Sequence, residues 1–305
     1  MANEITYTGS GGSTRAAEIY GKLLHELLLD PTDLRGVVRN LGDIGGSGSS
    51  TLTVGTVDYD TPFAAANADE VTAADNTAVT VGAVSLSVAH QILSFGVSDL
   101  HSVTGAPGML GLQELAAKGA QAYGMRFTDL VMAAADTITA NVGTSGADMT
   151  VDDWFSATAT LQQAVVPGPY AAILAPVQVT DLQASLRSEG GAIQFLPATA
   201  AQLALKGPGY QGQFMGVDIW QSDSVSTSGG NRVGAMFGDG CLGYTEASAR
   251  GAMPGSMAAS SPAGSPIYAE FVRAGDPGIS RIVLHAFVAV GLLETARGVN
   301  ITTDA

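Results

Sequence analysis

The sequence is poor in charged residues, in aromatic residues and in cysteine. Only 13% of its 305 residues are charged and 6% are aromatic; the charged share is about half that of an ordinary globular protein. So little charge favours a chain that buries much of its surface against other chains. The single cysteine, Cys241, excludes an internal disulfide, and we expect it to be a small buried apolar residue.

Positive charge is missing from a long stretch of the chain. No Lys or Arg occurs in the 78 residues from Asn40 to Ala117. The net charge of −15 and the pI of about 4.4 exclude nucleic-acid binding through a basic patch. They do not exclude a chain that encloses nucleic acid, because an acidic wall would repel DNA and let it slide. The same stretch contains eight acidic residues: Asp43, Asp58, Asp60, Asp69, Glu70, Asp75, Asp99 and Glu114.

Long apolar runs and a secretory leader are also missing. The longest apolar stretch, Ala286 to Leu293, is far shorter than the ~20 residues of a membrane helix. The polar N-terminus lacks the cationic start and apolar centre of a signal peptide. We therefore expect a chain that is made in the cytoplasm and does not enter a membrane.

No motif in the sequence converges on a reaction or a cofactor. Gly207–Gly212 and Gly238–Gly243 match G-x-G-x-x-G, but neither is expected to open a helix, and we interpret both as turns. The phosphate-binding G-x-x-x-x-G-K-[ST] loop and the G-x-S-x-G nucleophile motif are absent. We expect no catalytic residues and no cofactor.

The candidate metal ligands are scattered. The four histidines, His25, His90, His101 and His285, are isolated from one another and from Cys241, which argues against a zinc site. We expect His285 to be a hydrogen-bonded core residue. The pair Asp58 and Asp60 is interpreted as a turn, and Asp152 with Asp153 as charge at a helix start.

The first half of the chain predicts an arm, a helix and a hairpin. Residues 1–12 are expected to be flexible, residues 14–29 to form an amphipathic helix, and residues 42–50 to be a hinge. Two strands with a polar tip then predict a projecting hairpin over residues 44–97. A change of phase at Gly82 suggests a β-bulge, after which one face would carry the side chains of Val84, Leu86, Val88 and Ile92.

The second half predicts a mixture of helices and strands, so the fold class is α+β. The strongest helix is expected over residues 110–142, spanning roughly 45–50 Å. A second helix is expected over 151–165 with Thr150 as its cap, then a strand at Ala171–Ala175 and a helix at Pro176–Leu186. Further strands are predicted at 214–221, 232–237, 267–275 and 281–293, with the last one central.

Three segments in order carry a resemblance to a known family. Ala171–Pro176 is a strand and a proline, followed by the helix around Asp181. Gly212–Ser222 begins with a glycine, continues as a predicted strand and ends with a serine. Gly291–Thr303 is the segment close to the C-terminus. In this order, the chain resembles the major capsid proteins of tailed bacteriophages, which have the Hong Kong 97 fold.

The resemblance implies a domain organisation that covers nearly the whole chain. Residues 1–43 would be an N-terminal arm, 44–97 an E-loop, 98–169 with 266–305 a P-domain containing the long spine helix, and 170–265 an A-domain. Some relatives crosslink their subunits through an E-loop lysine. The three lysines here, Lys22, Lys118 and Lys206, lie elsewhere, so no such crosslink is expected.

The predicted function is a major capsid protein that assembles into pentamers and hexamers of an icosahedral virion shell around double-stranded DNA. Expected partners are a portal protein, a separate scaffold and a decoration protein. Two alternatives are an encapsulin-like nanocompartment shell and, from another class, a secreted β-rich surface-layer protein or adhesin. A hydrolase is a more distant alternative.

The candidate assembly residues are apolar side chains on the arm helix, the hairpin, the spine helix and the A-domain. Each could instead belong to the core of its own subunit. They are Leu23, Leu24, Leu27, Leu28, Val84, Leu86, Val88, Tyr123, Phe127, Leu130 and Trp220.

Overall fold

The computed structural model describes residues 34–45, 47–57, 81–98, 108–188, 195–207, 209–248, 259–260, 267–274 and 279–304. Over these ranges the chain forms helices and strands in an α+β arrangement, with two large sheets and a separate hairpin. The predicted arm helix over 14–29 and the predicted Asp58–Asp60 turn lie outside the described residues.

The longest helix is α1, Gly108–Ala135, which at 28 residues spans about 42 Å. It ends seven residues before the predicted boundary at 142, so that boundary is wrong. The Thr137 hydroxyl donates a 2.6 Å hydrogen bond to the Ala134 carbonyl, which competes with continuation of the helix. Asn141–Val142 instead forms strand β5, because a tertiary strand partner outweighs local helix propensity.

Three further helices are described. Helix α2 is Val151–Gln163, and its N-cap Thr150 forms a capping box with Asp153, as the cap prediction requires. Helix α3 is Pro176–Ser188. Helix α4, Ala200–Lys206, was not predicted from the sequence, because at seven residues it is too short to show a period.

A six-stranded sheet is organised around the long strand β15, Ile279–Leu292. The first part of β15 lies between two antiparallel neighbours, and its last part pairs with β12. The prediction of a central strand in this segment is therefore confirmed. The other strands are β1 Arg39–Asp43, β4 Ala89–Ser98, β12 Leu242–Glu246, β13 Ala259–Ser260 and β14 Ile267–Ala274.

An eight-stranded sheet follows the order β5-β16-β11-β6-β9-β8-β7, with β10 beside β11. The predicted strand over 214–221 is in fact two strands joined at Met215–Gly216, where both residues have positive φ. The strands are β6 Tyr170–Leu174, β7 Phe195–Pro197, β8 Tyr210–Phe214, β9 Val217–Gln221, β10 Ser226–Ser228, β11 Asn231–Phe237 and β16 Gly298–Asp304.

The C-terminal segment contributes to both sheets. Strand β15 belongs to the six-stranded sheet, whereas β16 pairs with β11 in the eight-stranded sheet. The assignment of residues 266–305 to one P-domain stays a prediction. One apolar core lies mainly between α1 and the six-stranded sheet, and a second lies under α2, α3 and the eight-stranded sheet.

The hairpin consists of β2, Thr51–Val57, and β3, Val81–Ser87. They pair antiparallel in continuous register from Thr51 opposite Ser87 to Val57 opposite Val81. The bulge predicted at Gly82 is therefore wrong. Val88, between β3 and β4, continues this pairing, because its N–H donates to the Ser50 carbonyl.

Candidate assembly surfaces

The hairpin has one apolar face and one hydroxyl face. Because side chains alternate along a strand, Leu52 and Val54 lie opposite Leu86 and Val84 on one side. The other side carries hydroxyl pairs, with Thr51 Oγ1 3.3 Å from Ser87 Oγ and Thr53 Oγ1 3.4 Å from Ser85 Oγ. Neither strand contains a charged residue. The hairpin therefore offers a neutral polar surface with a low desolvation cost.

The base of the hairpin is fixed to the subunit by a small apolar cluster. Leu86 packs with Ala289 and Leu293, and these three are its buried members. A Cβ on Gly291 of β15 would overlap the end of the Leu86 side chain, so the hairpin approaches β15 where only glycine leaves room. The partly buried residues around this cluster are Leu41, Val54, Val84 and Val88.

Beyond this base, β2 and β3 pair only with each other among the described strands. Each therefore has an edge whose backbone N–H and C=O groups meet no described strand. Natural sheets protect such edges with charge, proline or a bulge. Over 51–57 and 81–87 none of these is present, so the edges suit pairing with, or burial under, a neighbouring chain.

Two of the predicted spine residues lie inside the subunit. Tyr123 is 6% exposed and Phe127 is fully buried. The Tyr123 hydroxyl donates to Glu246 Oε1 at 2.9 Å, and the Phe127 ring meets Tyr244 edge-on at 5.2 Å between centroids. These contacts join α1 to β12 and match the alternative interpretation of core residues. Leu130 is only half-buried and keeps some surface for a neighbour.

Trp220 also packs within the subunit and is 7% exposed. Its ring contacts Tyr210 at 5.3 Å, and the Lys206 Nζ lies 4.4 Å from the Tyr210 centroid. Asp218 accepts hydrogen bonds from Lys206 Nζ at 2.7 Å and from the Tyr210 hydroxyl at 2.8 Å. Burial, followed by the Asp218 bond, raises the pKa of Tyr210 well above its ordinary range. This cluster fixes α4 against β8 and β9.

The structure thus brings Val84, Leu86 and Val88 together at the hairpin base and places Tyr123, Phe127 and Trp220 in cores. It does not describe the arm residues Leu23, Leu24, Leu27 and Leu28. The prediction that Ile92 shares a face with Val84, Leu86 and Val88 is wrong, because Ile92 is 60% exposed while the other three pack at the hairpin base. The other exposed large apolar side chains are not among the candidate assembly residues. They are Met125, Phe155, Val165, Val177, Leu196, Leu203, Leu205, Met215 and Val272.

A histidine pair contradicts the expectation that the histidines are isolated from one another. His90 on β4 lies with its Nε2 3.0 Å from His285 Nδ1 on β15. His285 Nε2 lies 3.1 Å from Glu270 Oε2 on β14. The expectation that His285 is hydrogen-bonded is confirmed. Nothing in the sequence could reveal the pair, because its members are 195 positions apart and meet only through strand register.

The two glycine motifs and Cys241 lie in the described part of the chain. Gly207–Gly212 joins α4 to β8, and Gly238–Gly243 joins β11 to β12, so neither opens a helix. Cys241 is fully buried, and burial, then the charge of Glu294, raises its thiol pKa to about 12. Within the part of the chain that is described, no three His, Cys, Asp or Glu residues cluster to hold a metal ion.

No described helix is both long enough and apolar enough to pass through a lipid bilayer.

Comparison with known proteins gives similarity in structure and none in sequence. No sequence family matches this chain, and no curated protein matches it. A solved structure of Mycobacterium phage Che8 is 16% identical, with a TM-score of 0.54, covering 90% of each chain. The capsid of Ralstonia phage GP4 is 11% identical, with a TM-score of 0.62, covering 88% of this chain and 87% of that chain.

An encapsulin is similar to the same degree. The SrpI encapsulin complex from Synechococcus elongatus PCC 7942 is 11% identical, with a TM-score of 0.62, covering 89% of this chain and 87% of that chain. Because each of these similarities extends over almost the whole of both chains, the chain has a Hong Kong 97-like capsid fold.

Proposed function

We propose that this chain is a major capsid protein that assembles with copies of itself into an icosahedral virion shell around double-stranded phage DNA. The observation that carries the proposal is the hairpin. Its two uncharged strands pair only with each other among the described strands and lack the usual protection of an edge. A neighbouring subunit would cover them, and repetition of that contact around a ring would close a shell.

The composition supports many weak contacts rather than one strong one. With 13% charged residues and a hairpin face of hydroxyl groups, each contact would desolvate few charges. A net charge of −15 per subunit opposes association at low ionic strength, and salt screens it. Multivalency across the shell would supply the stability, and the same negative charge would keep enclosed DNA mobile.

The role proposed is structural, without catalysis. The capsid of Ralstonia phage GP4 supports a shell of identical subunits. We further propose that a portal protein, a separate scaffold and a decoration protein join that shell. The subunit would be made in the host cytoplasm and function in the virion.

A second candidate is an encapsulin-like nanocompartment, favoured by the similarity to the SrpI encapsulin. The two candidates share the shell and differ in its content. What co-purifies with the shell distinguishes the two candidates. The first predicts double-stranded DNA inside the shell, and the second predicts a protein cargo.

The deciding experiment shortens the hairpin without disturbing its base. Residues 56–82 are replaced by Asn-Gly, which keeps Gly55 opposite Ala83 in the observed register and supplies a type I′ turn. We expect the intact chain to form shells in negative-stain images, and the shortened chain to remain a folded, soluble subunit with an unchanged circular dichroism spectrum. Shells of normal size from the shortened chain would contradict the role of the hairpin, and an intact chain that forms no shells would contradict the proposal itself.

A further inference from the structure

A chain of hydrogen bonds crosses three neighbouring strands of the six-stranded sheet. It runs from His90 on β4 to His285 on β15, at 3.0 Å, and on to Glu270 on β14, at 3.1 Å. The two imidazole rings are inclined by 21° with centroids 5.2 Å apart. With 3.0 Å between the nitrogens, that centroid distance means the rings meet edge to edge, in line with the hydrogen bond.

The group lies on the sheet face opposite α1. Side chains at 282, 284, 286 and 288 of β15 are buried in the core, so His285 and Phe287 point the other way. The His90 ring lies 4.5 Å from the Phe287 ring, and Tyr268 lies 5.3 Å from His285. The His285 side chain is 12% exposed and the Glu270 side chain 24% exposed, whereas His90 is exposed. The His285–Glu270 bond is therefore partly shielded, and protons reach the pair from the His90 side.

The geometry limits how many protons the pair can hold. The Glu270 carboxylate accepts, so His285 carries a proton on Nε2, and its Nδ1 then accepts from the Nε2–H of neutral His90. One added proton is accommodated, because charged His285 donates at both nitrogens while His90 Nε2 accepts. A second added proton puts N–H groups on both facing nitrogens, and the side-chain bond between β4 and β15 is lost, while their backbone ladder from Ala89 opposite Val288 to Ser98 opposite Ile279 remains.

The surroundings oppose the second proton. Burial, followed by the charge of His285, lowers the pKa of His90. Burial also raises the pKa of Tyr268 to about 12, so Tyr268 stays neutral. The carboxylate facing the pair is Glu270 of β14, the described β4 strand carries no charged residue, and Arg281 lies four positions from His285 on the same side of β15.

We propose that His90, His285 and Glu270 form a proton-binding site that ties β4 to the centre of the sheet and releases this tie in acid. The direction of the pH dependence follows from linkage. A histidine whose pKa is lowered on folding stabilises the folded state at pH values above its ordinary pKa of 6.5. This stabilisation is lost as the pH falls through the folded-state pKa. The attachment of β4 is therefore weakened below neutral pH.

Proton binding at this site would also affect the hairpin. This consequence rests on the proposed function. Val88 alone separates β3 from β4, so a change in how β4 is held is passed directly to the hairpin base. Acid would then alter the orientation of the hairpin in the shell. This consequence is separate from proton binding, which is measured on the subunit whether or not shells form.

The test is a titration of the full-length chain labelled with ¹⁵N in histidine, followed by solid-state NMR from pH 8 to pH 4.5. We expect the hydrogen bond between the two rings to be present at pH 8, and His90 to gain its added proton only below its ordinary value of 6.5, with loss of that bond. A His90 ring that gains its proton at the ordinary value, or a bond between the rings that survives this protonation, would overturn the proposal. Because this measurement needs no variant, it does not depend on a mutant that folds.

A variant then links protonation to stability. In H90Q the protonation of residue 90 is absent, and the fall in thermal unfolding midpoint between pH 7.5 and pH 5 should be smaller than in the unchanged chain. H101Q is the control, because it makes the same chemical change at a histidine that is not a member of the pair, and it should keep the full fall. An equal fall in all three proteins would contradict the proposed tie, whatever the NMR titration shows.

Discussion

The hairpin β2–β3 and the eight-stranded sheet differ in how much apolar surface each buries within the subunit. The sheet is covered by α2 and α3 over a core of sixteen buried residues, whereas the cluster at the hairpin base has three. The sheet closes over its own apolar surface, and the hairpin leaves two uncharged edges unpaired among the described strands. One chain thus combines a sheet that has a large buried core with a hairpin that has little core of its own, and isolated hairpins are marginally stable in water.

The largest expected effect is the loss of a core side chain beneath the eight-stranded sheet. Trp154 is fully buried and its ring lies 5.6 Å from that of Phe214. We expect W154A to lower the free energy of unfolding by about 3–5 kcal/mol in a urea titration, because it leaves a cavity. The adjacent Phe155 on α2 is 37% exposed, so F155A is the control and should change stability little. Equal losses would mean that the side of α2 facing the sheet is assigned incorrectly.

A smaller loss is expected at the buried amide of Gln178. Its Oε1 accepts from the Ala175 N–H at 3.0 Å, and its Nε2 donates to the Ile301 carbonyl at 3.1 Å and to Thr303 Oγ1 at 2.9 Å. These bonds join α3 to β16. Q178L leaves buried polar groups without partners and should cost roughly 2–3 kcal/mol.

Its control is Q162L on the exposed side of α2, which makes the same chemical change in water. A small effect of Q178L, similar to that of Q162L, would show that the C-terminal strand is held by its backbone ladder alone.

The hairpin base should be less sensitive than either site in the sheet. Leu86 is 5% exposed, but its cluster is small and partly open. We expect L86A to cost roughly 2 kcal/mol, at the low end for a buried leucine, and to reduce shell yield more than its stability loss explains. S85A, on the hydroxyl face, should leave stability unchanged. Normal shell yield from L86A would show that assembly does not depend on how the hairpin is held.

The smallest effect is expected where β15 passes beneath the hairpin. G291A places a methyl group against the end of the Leu86 side chain, which can shift, so the cost should be about 1 kcal/mol. In the L86A background the same methyl group should cost nothing, because the space is then free. A double-mutant cycle measures this coupling, and additive effects would contradict the contact between Gly291 and Leu86.

Much of the architecture was predictable from local patterns. The Thr150 cap, the strand beginning near Ala171, the helix from Pro176 and the central position of β15 all follow from capping residues or apolar runs. The errors arose where tertiary contacts overruled such patterns. Helix α1 ends at Ala135 because the following residues join β16, and the phase of the hairpin breaks after Val88 because β4 leaves to pair with β15.

The candidate assembly residues show the same division. Periodicity identifies an apolar face but not what covers it, so Tyr123, Phe127 and Trp220 could be chosen for a surface although all three lie in the subunit's own cores. The arm residues Leu23, Leu24, Leu27 and Leu28 and the half-buried Leu130, Val84 and Val88 stay predictions as contacts between subunits.

The sequence by itself determined the order of the longer helices and strands and the uncharged character of the hairpin strands, because each depends on residue type and spacing along the chain. Only the tertiary structure decided which apolar faces are covered within one subunit, where strands change partner, and that His90 meets His285. Those outcomes depend on pairing between strands far apart in sequence, and the register of a ladder is fixed by the packing of the whole sheet.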